Sequence, residues 1–143
     1  MFSTYLSPME NWVAIVARHV LKSFYSEFEP YLASSQSNPA SLDKFAQKLC
    51  FNTTRPFSDE ETNPQAWIDQ LCGSNLRWES LGLLFNFWGG CIISTRAQKS
   101  IMDDQLLSRG WAPLARECFN VCYELCETFS NGNSVMLHLA WLV

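Results

Sequence analysis

From Ser80 to Thr95 the chain carries no charged side chain, and Leu81, Leu83, Leu84, Phe85, Phe87, Trp88, Cys91, Ile92 and Ile93 point in every direction once the segment is wound into a helix. Such a helix must be surrounded by protein. The run is too short, and with Gly82, Gly89 and Gly90 too rich in glycine, for a membrane span, which takes ~20 apolar residues. It is expected to be the central buried helix, about 76–94, with glycines that let a neighbouring helix or a ligand approach its backbone.

Around it, helix signals recur. Ser7-Pro8-Met9-Glu10 offers a capping serine, a first-turn proline and a glutamate three residues after the cap, so a helix begins at Pro8. Trp12, Val13, Ile15, Val16, Val20, Phe24 and Phe28 follow at helical spacing, and Pro30 is expected to end it. After the polar linker Ser34 to Pro39, Leu42, Phe45, Ala46 and Leu49 line a second, short helix. The polar stretch 52–63, with Pro56 and the acidic triple Asp59-Glu60-Glu61, is expected to be an exposed loop. Asn63-Pro64 caps a third helix with Trp67, Ile68 and Leu71 on one face, and Gly73 is placed to end it in the left-handed conformation.

Beyond the central run, Thr95 to Ser108 is weakly helical, and Gly110 and Pro113 are expected to reset the chain. From Ala112 to Phe129, Leu114, Cys118, Val121, Cys122, Leu125, Cys126 and Phe129 form an apolar side, opposite Arg116, Asn120, Tyr123 and Glu127. Asn131-Gly132 stops that helix. Val135 to Val143 is apolar around nearly its whole circumference, so it either plugs a core or pairs with another chain. With no internal repeat and no alternating strand pattern, the reading is all-α: one domain over 1–143, a compact bundle of about five to seven helices around the central one.

Composition narrows function. Hydrophobic residues reach 48% and charged ones only 17%, which excludes disorder for most of the chain. The formal charge is −4 and no two Lys/Arg residues are adjacent, so the basic face that releases counterions from nucleic acid is missing. Direct nucleic-acid binding is disfavoured. The N-terminus lacks the charged flank and apolar core of a signal peptide, which implies a cytoplasmic or nuclear protein that is not secreted; the Asn52-Thr53-Thr54 sequon then has no meaning. The six cysteines at 50, 72, 91, 118, 122 and 126 read as free thiols.

The stretch Asn75-Leu76-Arg77-Trp78-Glu79-Ser80-Leu81-Gly82-Leu83-Leu84-Phe85 resembles the signature helix of the fungal-specific transcription-factor domain, the middle homology region that follows zinc-cluster DNA-binding modules. Ala115 to Cys126 and Asn133 to Val143 are similar to that family's next two helices, so the resemblance spans about 64–143. Its motifs are packing motifs. Two departures stand out: the cysteines lie 22, 19, 27, 4 and 4 residues apart, which is no zinc cluster, and the family's domain continues well past residue 143. The resemblance implies a regulatory helical domain without its DNA-binding module.

Site candidates are few. Cys118, Cys122 and Cys126 share one helical stripe, but tetrahedral zinc draws ligands from turns or several elements, so no metal or other cofactor is expected. His19 follows Arg18 near a polar flank. His138 lies between Leu137 and Leu139 in a segment uncharged from Asn131 onward, and Asn86 is the polar side chain within the most apolar helix; both need partners. Trp12, Phe85, Trp88, Trp111 and Trp141 are the candidate walls of an apolar pocket, and Trp78 is assigned to structure. No nucleophile elbow, histidine pair with a carboxylate, or phosphate loop is present, and Glu117 and Glu124 mark a solvated surface.

Two functions follow. One is a scaffold repurposed to bind an apolar small molecule, as a cofactor-free cyclase or pericyclase of the Diels-Alder type in secondary metabolism. In it His138 and Asn86 face one cavity and aim hydrogen bonds at a developing charge. The other is a non-DNA-binding transcriptional co-regulator that works through protein contacts, as a homodimer or with another regulator.

Overall fold

The computed structural model describes residues 8–35, 39–98 and 105–143, with side chains over 12–31, 39–90 and 110–143. In order, the elements are α1 (Pro8–Ser35), α2 (Pro39–Thr54), α3 (Pro64–Asp69), a 3-10 turn (Gly73–Asn75), α4 (Trp78–Gln98), α5 (Gln105–Phe129) and α6 (Ser134–Ala140). The described residues contain no strand, so the fold is all-α, as the patterning requires.

The core is built where α1, α2, α4, α5 and α6 meet. Val16 and Val20 of α1, Leu49 of α2, Leu83 of α4, Phe119 and Cys126 of α5 and Leu139 of α6 are all buried in it. Each fully buried Leu or Phe contributes ~1.5–3 kcal/mol relative to exposure. α4 and α5 run antiparallel: a Cβ at Gly82 would stand 3.7 Å from Cys122 Cβ, and one at Gly89 would stand 3.7 Å from Ala115 Cβ. No helix among the described residues is long and apolar enough to cross a membrane.

Two prolines fail to act as breakers. Pro30 sits inside α1, which continues to Ser35. Phe28 and Tyr31, on either side of it, both pack on Phe45 of α2, at 5.2 and 5.3 Å between ring centres, and this packing outweighs the lost N–H donor. Likewise α5 passes through Gly110 and Pro113, held by Trp111 against Trp88 at 5.6 Å before the proline and by buried Ala115 and Phe119 after it.

The expected loop also starts late. Asn52 and Thr53 are buried in the last turn of α2, because Asn52 Nδ2 donates to the carbonyls of Ser74 and Leu76, both at 2.8 Å. On α5 the buried stripe is Ala115, Phe119, Cys122 and Cys126, rotated from the expected one, and Leu114 and Val121 are exposed. Phe119 is the reason: its ring takes the core position and turns Leu114 and Val121 outward.

α4 is the central helix, and among its described side chains burial is deepest in the first two turns. Glu79 to Leu84 is continuously buried, residues 85–89 are half-buried and Gly90 is exposed; the side chains of Cys91 to Thr95 lie outside the described residues. The expected linker and weakly helical stretch fall partly outside them too. Gly132, at φ +82, is left-handed just after α5 as its stop signal requires; Gly73, at φ +57, is left-handed too but opens the 3-10 turn, α3 having already ended at Asp69.

Candidate functional site

Among the described residues, the most buried charged side chains, Arg77 and Glu79, stand at the start of α4. Arg77 donates through Nε to Glu79 Oε2 and through a terminal nitrogen to Oε1, both at 3.2 Å, while that terminal nitrogen also reaches the Thr53 carbonyl at 2.9 Å. Asn133 Nδ2 donates to Glu79 Oε1 at 2.9 Å, and its Oδ1 caps α6 by accepting from Met136 N–H. A buried ion pair is tolerated only when its remaining polar positions are filled, and among the described residues no buried side-chain nitrogen or oxygen lacks a partner.

The same node starts α4. Trp78 N–H donates to Thr53 Oγ1 at 3.0 Å, and Arg77 N–H donates to Ser80 Oγ at 3.2 Å, which in turn donates to the Leu71 carbonyl at 2.7 Å. Trp78 Nε1 points to Cys50 Sγ at 3.3 Å, in keeping with its assignment to structure. The polar letters of the Asn75 to Phe85 stretch are thus consumed internally, binding α2, α4 and α6 to one another. They present no reactive group to solvent.

Beside the node lies an open apolar groove of about 600 Å³ between α1, α3 and α6. Asn63 Oδ1 accepts from Gln65 and Ala66 N–H, which fixes the start of α3 and aims Trp67 and Ile68 into the groove. α1 supplies Trp12, Ile15 and Val16, and α6 supplies His138. The opposite rim, Glu61 and Thr62, belongs to the loop before α3, and Asp59 ties that loop to α6 by accepting from Ser134 N–H at 3.1 Å and from Ser134 Oγ.

An aromatic ladder connects groove and node. Arg77 Cζ stands 5.5 Å from the Phe57 ring centre, Phe57 meets Trp67 edge-on at 5.4 Å, Trp67 meets Trp12 at 5.7 Å, and Trp12 meets the His138 imidazole at 5.2 Å. Burial against these rings lowers the His138 pKa from its ordinary 6.5, so the imidazole is neutral at pH 7 and can donate from one nitrogen and accept at the other.

The candidate residues divide. Trp12 and His138 share the groove, but Asn86 is not among the residues that line it and stands half-buried on α4. The paired-donor arrangement expected of a cyclase is therefore not formed in this groove: α6 brings His138 to α1 and α3, and none of the described lining residues comes from α4. Phe85 and Trp88 line a separate hollow of about 420 Å³ with Phe24 and Leu84, and Trp111 packs on Trp88 from α5. Trp141 is 89% exposed and lines neither of these two hollows. The C-terminal segment is not a plug around its whole circumference either; Val135 and Leu139 are buried, whereas Leu137 and Val143 are 65% and 63% exposed.

Trp67, at the centre of the ladder, was legible as the apolar face of helix three but not as a groove wall, since only the fold sets it against Trp12. Among the cysteines, Cys122 and Cys126 are buried and Cys118 half-buried. Burial pushes the Cys122 thiol up to about 12, and those of Cys126 and Cys118 upward as well. Cys72, also raised by burial, to about 11, lines a polar hollow with His19, Lys22 and Asp69. No cluster of metal-binding side chains occurs among the described residues. In comparisons with known proteins, the chain matches no family model, no curated protein and no solved structure.

Proposed function

We propose that the chain is a regulatory helical domain of the fungal transcription-factor type that binds an apolar small molecule in the groove between α1, α3 and α6. The observation that carries the reading is the groove itself: about 600 Å³, walled by Trp12, Ile15, Val16, Trp67 and Ile68, with the neutral His138 as a polar corner. Its volume lies in the range of small-molecule sites, and apolar walls with few polar groups are their usual lining. The sequence resemblance supplies the regulatory half of the proposal, since the residues that carry it, Arg77, Trp78, Glu79 and Ser80, serve packing.

Binding is favoured over turnover. A cofactor-free cyclase needs donors converging on one substrate, and this groove offers His138 without Asn86. The test is thermal melting and NMR titration with a neutral aromatic probe, 4-phenylbutanol. A melting temperature that rises with probe concentration, together with shifts confined to the Trp12 and Trp67 indole N–H signals, is the expected result. Probe binding that leaves those two signals unmoved would remove the groove from the proposal.

Self-association is a second reading, supported by the outward apolar row Leu137, Trp141 and Val143 at the α6 end. Light scattering at micromolar concentration should then give twice the chain mass, and Trp141→Asp should return it to one. A wild-type monomer would end this reading and leave the ligand proposal standing.

A further inference from the structure

The groove walls are carbon and indole, whereas its mouth is acidic. Glu61 and Thr62 form the rim on the loop that also carries Asp59 and Glu60, and no Lys or Arg is among the described lining residues. Glu61 Oε1 accepts from Asn63 N–H at 2.9 Å, which fixes the carboxylate at the start of α3. A carboxylate has about four acceptor sites, so this contact leaves capacity for a ligand. The Asp59 contacts to Ser134 hold the same loop against α6, so the acidic rim keeps its place over the groove. His138, kept neutral by burial, adds no opposing charge at pH 7.

Resting on the reading of the groove as a ligand site, we infer that its ligand is an amphiphilic amine, with the apolar body between Trp12, Trp67 and Ile68 and the ammonium head at Glu61. A cation at the mouth gains from the Glu61 carboxylate and from the electron-rich indole rings below it. An anionic amphiphile of the same shape would bring its head against Glu61 with no basic residue among the described lining residues to receive it.

NMR titration of the full chain at pH 7 with 4-phenylbutylamine, 4-phenylbutanol and 4-phenylbutyrate, which share one apolar body, separates the inferences. The amine should bind about tenfold tighter than the alcohol, and the carboxylate should bind weakest. Raising salt to about 0.5 M should shrink the amine's advantage, since charges at an exposed mouth are screened. Glu61→Gln should reduce the amine-to-alcohol affinity ratio to about twofold. Equal affinity for amine and alcohol, or an advantage that survives Glu61→Gln, overturns the amine assignment and leaves the groove as a site for neutral ligands. If none of the three shifts the Trp12 and Trp67 signals, the groove reading falls as well.

Discussion

Glu79 and Asn133 lie 54 residues apart and meet at 2.9 Å, with Asn133 Nδ2 donating to the carboxylate that also receives the Arg77 guanidinium. Glu79 is completely buried and Arg77 nearly so, and each depends on the other for its charge to be tolerated there. The loop after α5 is therefore fastened to the start of α4 by a charged group and an amide that also caps α6. Position and satisfaction are one property here, because any partner removed leaves a charge or dipole stranded out of water.

Glu79→Ala is accordingly expected to destabilise the protein by ~3–5 kcal/mol, since it leaves the Arg77 guanidinium buried without its counter-charge. The double change Arg77→Met with Glu79→Leu, which removes both charges, should cost much less than the single one. Urea denaturation measures both. A single variant within ~1 kcal/mol of wild type would show that the pair is not buried in solution as it is in this fold.

Two glycines of α4 should respond in opposite directions to one added methyl. At Gly90 a Cβ meets nothing within 4 Å, so Gly90→Ala should stabilise by ~0.5–1 kcal/mol through helix propensity alone. At Gly82 it would stand 2.9 Å from Leu139 Cδ1, so the fully buried Leu139 side chain would have to shift within the core to admit it. Gly82→Ala should then lose ~1–3 kcal/mol to overpacking, which more than offsets the propensity gain. Melting temperatures that rise for both would contradict the close α4–α6 approach.

Native-state alkylation should separate the α5 cysteines. Cys122 and Cys126 are buried with thiols held protonated, so iodoacetamide at pH 8 should leave both unmodified until the chain unfolds. Cys118, one turn earlier and half-buried, should react first of the three. Mass spectrometry of the labelled protein decides it, and early labelling of Cys126 would mean that α5 does not pack on α4 as described.

What the sequence disclosed follows from what is local. Asn63-Pro64 starts α3 in the structure as the capping rules anticipate, because a cap hydrogen bond involves only neighbours, whereas α3 ends at Asp69 with a right-handed Gln70 cap and the left-handed Gly73 opens the 3-10 turn beyond it. Pro30 and Pro113 misled because the contacts that outweigh them, on Phe45 and on Trp88, come from other helices. Arg77 and Glu79 enter the sequence reading only as letters of the resembling stretch, and nothing nearby in sequence announces that Thr53 and Asn133 will enclose them. For the site, His138 and Trp12 were each legible as apolar-segment residues needing an account, yet their meeting depends on where α6 lands. Asn86 seemed equivalent to His138 by the same composition argument, and only the fold separates them.

His138 gives the groove a pH signature with a definite sign. Its pKa is lowered below 6.5 by burial against Trp12, while in the unfolded chain it titrates near 6.5. Between the lowered value and 6.5 the unfolded state binds a proton that the folded state refuses, so stability rises with pH across that window. The contribution is fully present above pH 6.5 and is lost as pH falls through the folded value. His138→Gln cannot take up the proton and should have a shallower decline in melting temperature from pH 7 to pH 5, and the difference between the two curves removes the carboxylates that titrate lower. Parallel curves would mean that the imidazole is solvated in both states, and the groove would then lack the neutral polar corner on which its ligand geometry depends.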